Sequence, residues 1–260
     1  MIPVIVATLI SVWTCPSCGV GVDAAFCGRC MIPEPPSGMA FIPACTVNYE
    51  GVDYELPAFY IDSSAVSYFD ILPWLNGAFS DGPGLARLVA GNYDEHFQFL
   101  RYTPFTGDEA GAGLTVPGPC SGLPACSITW SGASEYLASI GKRLPSAVEL
   151  AAAAEAGLLT DIDVYNVMNT YADMMESSMG AMLGRLSIQA MFAGYSTASE
   201  RVIWEWTGSA PGEPASSSTE TLSPCTVIYR NGGPGVADNS SGYFNVAFRG
   251  VVSLPLAALK

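Results

Sequence analysis

Two Cys-x-x-Cys pairs, Cys15/Cys18 and Cys27/Cys30, stand eight residues apart in the run CPSCGVGVDAAFCGRC at 15–30. Four thiolates at tetrahedral reach are the ligand set of a closed structural Zn²⁺ site, with no position left open for substrate. Gly19 and Gly28 lie at the knuckles, where the backbone must turn tightly and aim N–H groups at sulfur. Structural zinc on Cys15, Cys18, Cys27 and Cys30 is therefore the expected cofactor. Two disulfides, or a redox Cys-x-x-Cys, are the other chemistries open to such a run; doubling of the knuckle argues against the redox one. A four-cysteine site fills where thiols stay reduced, which points to folding in a cytoplasm.

Elsewhere the chemistry-bearing residues are sparse. His96 is the one histidine, which excludes every mechanism needing two or more. Cys120 and Cys126 frame SGLPA and can pair or lie buried. Asp161, Asp163, Asp173 and Glu176 offer carboxylates, but their spacing matches no EF-hand, and a solvated acidic face explains them as well. Arg143 reads as an ion-pair anchor rather than a ligand group. From Tyr229 to Asn245 the chain is rich in Tyr, Asn, Asp, Ser and Gly. Tyr supplies rigid amphipathic area and Ser, Asn and Gly adapt, as on binding surfaces. Tyr229, Asn231, Asp238, Asn239, Ser240, Tyr243 and Asn245 are thus expected to be exposed together as a ligand-binding patch. The alternatives are a plain loop, or a final core strand that buries Tyr243.

Composition limits the partners. Ten Lys+Arg against 24 Asp+Glu give a net charge of −14, which excludes nucleic acid, since a nucleic-acid binder needs a basic face. Charged residues are 13% of the chain and hydrophobic ones 50%, enough for a large core. No stretch reaches the ~20 apolar residues of a membrane span. The N-terminal run MIPVIVATLISVW has neither the basic start nor the cleavage site of a signal peptide. Its β-branched residues read as a strand leading into the cysteines.

The elements that would hold these residues follow from periodicity. Ala40–Val47 and Phe59–Asp62 read as strands. Val66, Phe69, Leu72 and Leu75 make a helical stripe that Gly77 ends. Ala133, Tyr136, Leu137 and Ile140 share one helix face, capped by Ser131 and ended by Gly141. Ser146 and Glu149 form a capping box for a second helix through Ala151–Ala154. Trp204 and Trp206 alternate on a strand and pack in the core. Six methionines between 160 and 200 suggest either a packed helical insertion or a subunit contact. Pro33, Pro35, Pro36, Ser37 and Gly38 read as a linker that would let Cys27→Ser open the knot without unfolding the rest.

The cysteine run resembles short zinc ribbons of the CPxCG…FCxxC kind. From Met39 onward the chain resembles the formylglycine-generating-enzyme (sulfatase-modifying factor) family, a branch of the C-type-lectin fold. The motifs come in family order: FYIDSSAV at 59–66, ITWSGASEYLASIGKRLPSAVEL at 128–150, VIWEWT at 202–207 and AFRGV at 247–251. The resemblance implies an α+β fold with two helices on a twisted, mostly antiparallel sheet. The chain then divides into an N-terminal strand and zinc ribbon at 1–35 and a C-type-lectin-like domain at 36–260.

The family's oxidase binds copper through two cysteines near the C-terminus, and another branch holds iron with three histidines. Here Cys225 stands alone after Cys126, and His96 stands alone altogether, so the ligands of both chemistries are missing. In this respect the chain also resembles the non-enzymatic variable proteins of diversity-generating retroelements. Those display variable residues just before a strand like the one containing Phe248-Arg249. The expectation is a non-enzymatic display protein that binds a protein or glycan on a cell surface. Its N-terminal region would mount it on a larger assembly such as a virus or phage tail, giving a virion or cell-surface location. A structural assembly subunit is the alternative, and a formylglycine-generating-type oxidase the third.

Overall fold

Turn chemistry and short alternating runs divide the chain into small strands. The computed structural model describes residues 12–78, 101–103, 113–115, 121–159, 202–216, 225–230, 233–240, 242–243 and 245–254, with backbone alone at 101–103 and 113–115. His96, Cys120, Asp161, Asp163, Asp173, Glu176, Asn231 and the methionine-rich segment lie outside the described residues, as does most of the expected N-terminal strand.

Strands β1 (Trp13–Thr14) and β2 (Gly21–Val22) pair antiparallel ahead of the main body. The strand expected over Ala40–Val47 is two strands, β3 (Met39–Ile42) and β4 (Cys45–Tyr49). Pro43 has no N–H for a ladder, so the chain changes partner there. β4 forms a hairpin with β5 (Val52–Leu56) through Glu50 and Gly51, at φ 51° and 84°. Positive φ at both central residues is the geometry of a tight hairpin turn. β3 instead pairs with β6 (Phe59–Asp62), whose four residues are all buried.

Helix α1 (Tyr68–Ala78) runs on through Gly77 and tolerates Pro73, so the expected stop is displaced by one residue. Ser67 and Asp70 close its first turn: Ser67 Oγ donates to Asp70 Oδ2 at 2.6 Å. A two-stranded pair follows, β7 (Arg101–Thr103) with β8 (Gly113–Thr115). Helix α2 (Trp130–Ser139) is capped by Thr129, which accepts from the Gly132 amide, and not by Ser131. Ile140 is the C-cap and 46% exposed, off the face that buries Ala133, Tyr136 and Leu137. Gly141, at φ 73°, makes the reversal. Helix α3 (Ala147–Glu155) has the reciprocal Ser146–Glu149 capping box. Ala147 through Ala153 are all buried, because alanine lets this helix lie close against β4.

The C-terminal part supplies β9 (Trp204–Trp206), β10 (Cys225–Arg230), β11 (Gly233–Asp238), β12 (Val246–Ala247) and β13 (Val251–Ser253). One sheet runs β11-β10-β9-β12 and another β13-β6-β3. Among the described pairings only β12 with β9 is parallel. Two cores follow. Helices α1 and α2 enclose Trp206, Phe248 and Ile228; α3 closes over Val47, Tyr49, Phe59, Ile61, Val227, Tyr229 and Val251. The 33–38 stretch does not leave the cysteine knot free. Ile32, 2% exposed, packs with Met39, Ala58, Tyr60 and Leu254, and the Tyr60 hydroxyl donates to the Pro33 carbonyl at 2.6 Å. Among the described residues no helix is long and apolar enough to cross a membrane.

Candidate metal centre and ligand face

The two cysteine knuckles are built alike. The Cys15 amide donates to the Val20 carbonyl and the Gly19 amide to the Cys15 carbonyl; twelve residues on, Cys27 donates to Ile32 and Met31 to Cys27. The fourth residue after each leading cysteine is left-handed, Gly19 at φ 71° and Met31 at φ 56°. Each turn thereby brings its two thiols inward. The Sγ atoms of Cys15, Cys18, Cys27 and Cys30 all lie within 4.8 Å of one another, with Cys15 and Cys27 buried. This is the one group of three or more His, Cys, Asp or Glu side chains placed to hold a metal ion among the described residues.

Local electrostatics favour thiolate at one position and oppose it at the other. Amide donors from Cys30, then Arg29, hold the Cys27 thiol down at about 7, against the cost of burial. Burial pushes the Cys15 thiol up. Four thiols crowded at this range cannot all ionise without a cation between them. The donor set therefore fits a bound metal ion.

The expected ligand face is only partly assembled. Tyr229 lies in the middle of the sheet and is 8% exposed, its ring 6.3 Å from that of Tyr49. Six paired residues on β11 and two on β9 cover its strand, so it is a core residue and not an exposed anchor. Asn239 is buried as well. Asp238 and Ser240 are exposed, and Tyr243 and Asn245 half-buried. Ser240 donates to Asp238 Oδ1 through both its amide, at 2.7 Å, and its hydroxyl, at 2.6 Å. These bonds hold the Asp238 carboxyl below its ordinary range. Tyr243 props the turn from beneath: its ring sits 5.8 Å from Trp206 and its hydroxyl accepts from the Asp238 amide at 3.1 Å. The Trp204 amide donates to the Asn245 carbonyl.

The anchors outside this face are ionic. Arg143 grips Glu149 with both Nη atoms at 2.7 Å, the anchor role expected of it. A deeper pair was not read from the sequence. Arg249 Nη2 donates to Glu205 Oε1 at 2.6 Å, a second bond joins Nε to Oε2, and Nη1 reaches the Asp62 carbonyl at 2.9 Å. The signal lay in the composition of the two motifs. A Glu between two Trp in β9 and an Arg after Phe248, just before β13, are charges inside apolar sequence, and buried charges require partners. Trp206 is fully buried and Trp204 packs against the same core, as expected. Gly235 lies over Trp204, where a Cβ would come within 2.9 Å of the ring.

Outside the knot, the described thiols sit on separate segments of the chain. Cys126 is buried and pushed to about 12, first by burial and then by Glu205. Cys45 is raised by burial and Glu155. Cys225 opens β10, half-buried and opposite Asp238.

Residues 38–200 match the family described as "Sulfatase-modifying factor enzyme 1-like domain", which is more than half of the chain. The chain belongs to that family. The solved structure of PvdO from Pseudomonas aeruginosa is similar at 16% identity and a TM-score of 0.46, over 83% of this chain and 94% of that one. No curated protein matches the chain.

Proposed function

We propose that this chain is a non-enzymatic binding protein, a C-type-lectin-like domain of the formylglycine-generating type on a four-cysteine zinc-ribbon base. The observation that carries the reading is the Asp238–Asn245 turn. It exposes Asp238 and Ser240 while Tyr243 and Trp206 fix it to the core. Polar loops held rigid by a scaffold are where binding concentrates. Burial holds Cys45 and Cys126 as thiols, which does not suit copper-binding thiolates. The turn precedes β12, as the displayed segment does in retroelement variable proteins, and its partner is a protein or glycan on a cell surface.

Zinc is the metal that best suits four thiolates in a closed cage. The knot would mount the domain on a larger assembly, such as a virion tail. Val12, Val20, Phe26 and Met31, all exposed, support that mounting. The same four residues favour the second reading, a structural subunit of such an assembly.

The test uses the full chain against arrayed cell-surface ectodomains, glycosylated and deglycosylated. Binding should be lost in Asp238→Ala/Ser240→Ala with an unchanged melting temperature. Copper-dependent oxidation of a cysteine-containing peptide, lost in Cys225→Ser, would overturn the reading.

A further inference from the structure

One concavity shares no lining residue with the Asp238 turn. It is a cleft of about 510 Å³ between the start of α1, the 121–124 segment and the C-terminal strands. That volume is within the range of small-molecule sites. Its floor is the Glu205–Arg249 pair. Its rim carries Ser63 and Ser64, both exposed, and the side chains of Phe69 and Asp70.

Phe69 lies off the buried face of α1. Tyr68, Ile71 and Leu75 on α1 are buried, whereas Phe69 is 71% exposed and is the most exposed of the large hydrophobics in the described residues. A ring left in water at the lip of a cleft costs hydrophobic free energy, which a ligand with an apolar face returns. Beside it, Asp70 uses Oδ2 to accept from the Ser67 amide and hydroxyl. Asp70 is exposed, and among the described residues no bond to its Oδ1 is formed.

The charge of the lining selects the ligand class. Arg249 is the one cation, and Glu205 occupies Nε and Nη2 while the Asp62 and Leu158 carbonyls occupy Nη1. An anion would find no uncompensated positive charge, and Asp70 would repel it. The polar groups are hydroxyls and carboxylates from separate segments, not a row of strand amides, so an extended peptide backbone finds no ladder. What fits acceptors and hydroxyls beside an exposed aromatic ring is a neutral molecule with many hydroxyl groups and an apolar C–H face. We propose that this cleft is a binding site for a neutral carbohydrate, stacked on Phe69 and hydrogen-bonded through Asp70 and the rim serines.

The site is independent of the Asp238 turn and of the zinc knot, and it is tested separately. The probes are a panel of neutral saccharides: methyl glycosides of glucose, mannose and galactose, N-acetylglucosamine, and linear tri- and tetrasaccharides of each. Binding to the full chain is read by titration calorimetry and saturation-transfer NMR. At least one should bind, with affinity about millimolar for a monosaccharide and tighter for an oligomer. Phe69→Ala should weaken it about tenfold or more, the loss of one stacking anchor. Gly122→Phe should block it: Gly122 lines the cleft, is not left-handed, and a Cβ there meets nothing within 4 Å. Neither change touches the core, so melting should hold. Asp238→Ala/Ser240→Ala should leave saccharide binding intact, which separates this site from the proposed display face. No binding across the panel up to about 50 mM, a concentration well above weak-affinity range, would overturn the proposal. So would binding indifferent to both cleft variants.

Discussion

The cysteine knot and the Arg249 core solve one problem by opposite means. The knot has a hydrophobic cluster of only Cys15, Val22 and Cys27, with Trp13, Cys18 and Cys30 at its edge. So few side chains cannot offset the entropy of ordering some twenty residues, at roughly 1–2 kcal/mol each. A metal ion held by the four thiols would supply the difference, and all four thiols come from within 16 residues. The main domain has the reverse resources. Its two large clusters bury whole helix and sheet faces, and it can therefore bear a buried ion pair whose partners stand 44 residues apart. The difference teaches that local sequence writes the metal site, whereas the large core writes itself through contacts distant in sequence.

The sharpest way to break that contrast is to take away the metal. Protein purified without added metal should carry about one Zn²⁺ per chain by elemental analysis, and Cys27→Ser should carry essentially none. Structural zinc contributes on the order of 10 kcal/mol to small domains, so the knot should lose its amide protection entirely. The packed seam at Ile32, Tyr60 and Leu254 adds a modest drop in the melting point of the main domain, where a free linker would give none. Less than half an equivalent of metal, with these thiols oxidised, would refute the metal site.

Next in size is the ion pair. Glu205→Gln leaves the Arg249 guanidinium buried without its counter-charge and should cost about 3–5 kcal/mol in urea unfolding. A loss under about 1 kcal/mol, as for an exposed pair, would show that the pair is wetter than its burial indicates.

Tyr229→Ala sharpens the boundary between core and display face. As a buried aromatic truncation it should destabilise by about 3 kcal/mol or more and leave the affinity of the native protein for its partner unchanged. Weakened binding at unchanged stability would return Tyr229 to the ligand face. Tyr243→Phe is milder. It removes the hydroxyl that accepts from the Asp238 amide and should cost about 1 kcal/mol, loosening the turn without opening the core.

The smallest effect lies back in the knot. Met31 holds a left-handed φ of 56° where the first knuckle has Gly19. Met31→Gly should raise the melting temperature of the metal-loaded knot, relieving roughly 1 kcal/mol of backbone strain. A fall would mean that the exposed Met31 side chain makes a contact worth more than the strain.

Much of this was legible in residue order. The Cys-x-x-Cys spacing specifies the knot because all its ligands are local. The capping box at Ser146–Glu149 and the Arg143 anchor were readable because partners three to six residues apart meet through helix geometry alone. Element ends were less so. Thr129 displaced Ser131 as the cap, and Pro43 cut one expected strand into two. Tyr229 shows where residue types fail. Its Tyr-Arg-Asn-Gly-Gly setting has the composition of a binding loop, but burial depends on which strand lies alongside. β10 lies between β9 and β11, under Tyr49 of the β4 hairpin. Composition cannot say which neighbour a strand acquires.

By itself the sequence determined the four-cysteine cluster, the Ser146–Glu149 capping box and the family. Those rest on local spacing or on motifs kept in order along the chain. Only the tertiary structure decided that Glu205 meets Arg249, that Tyr229 belongs to the core while Asp238 faces out, and that Phe69 stands at the lip of a cleft. Each of these depends on segments far apart in the chain being packed together, and burial is a property of that packing rather than of any residue in it.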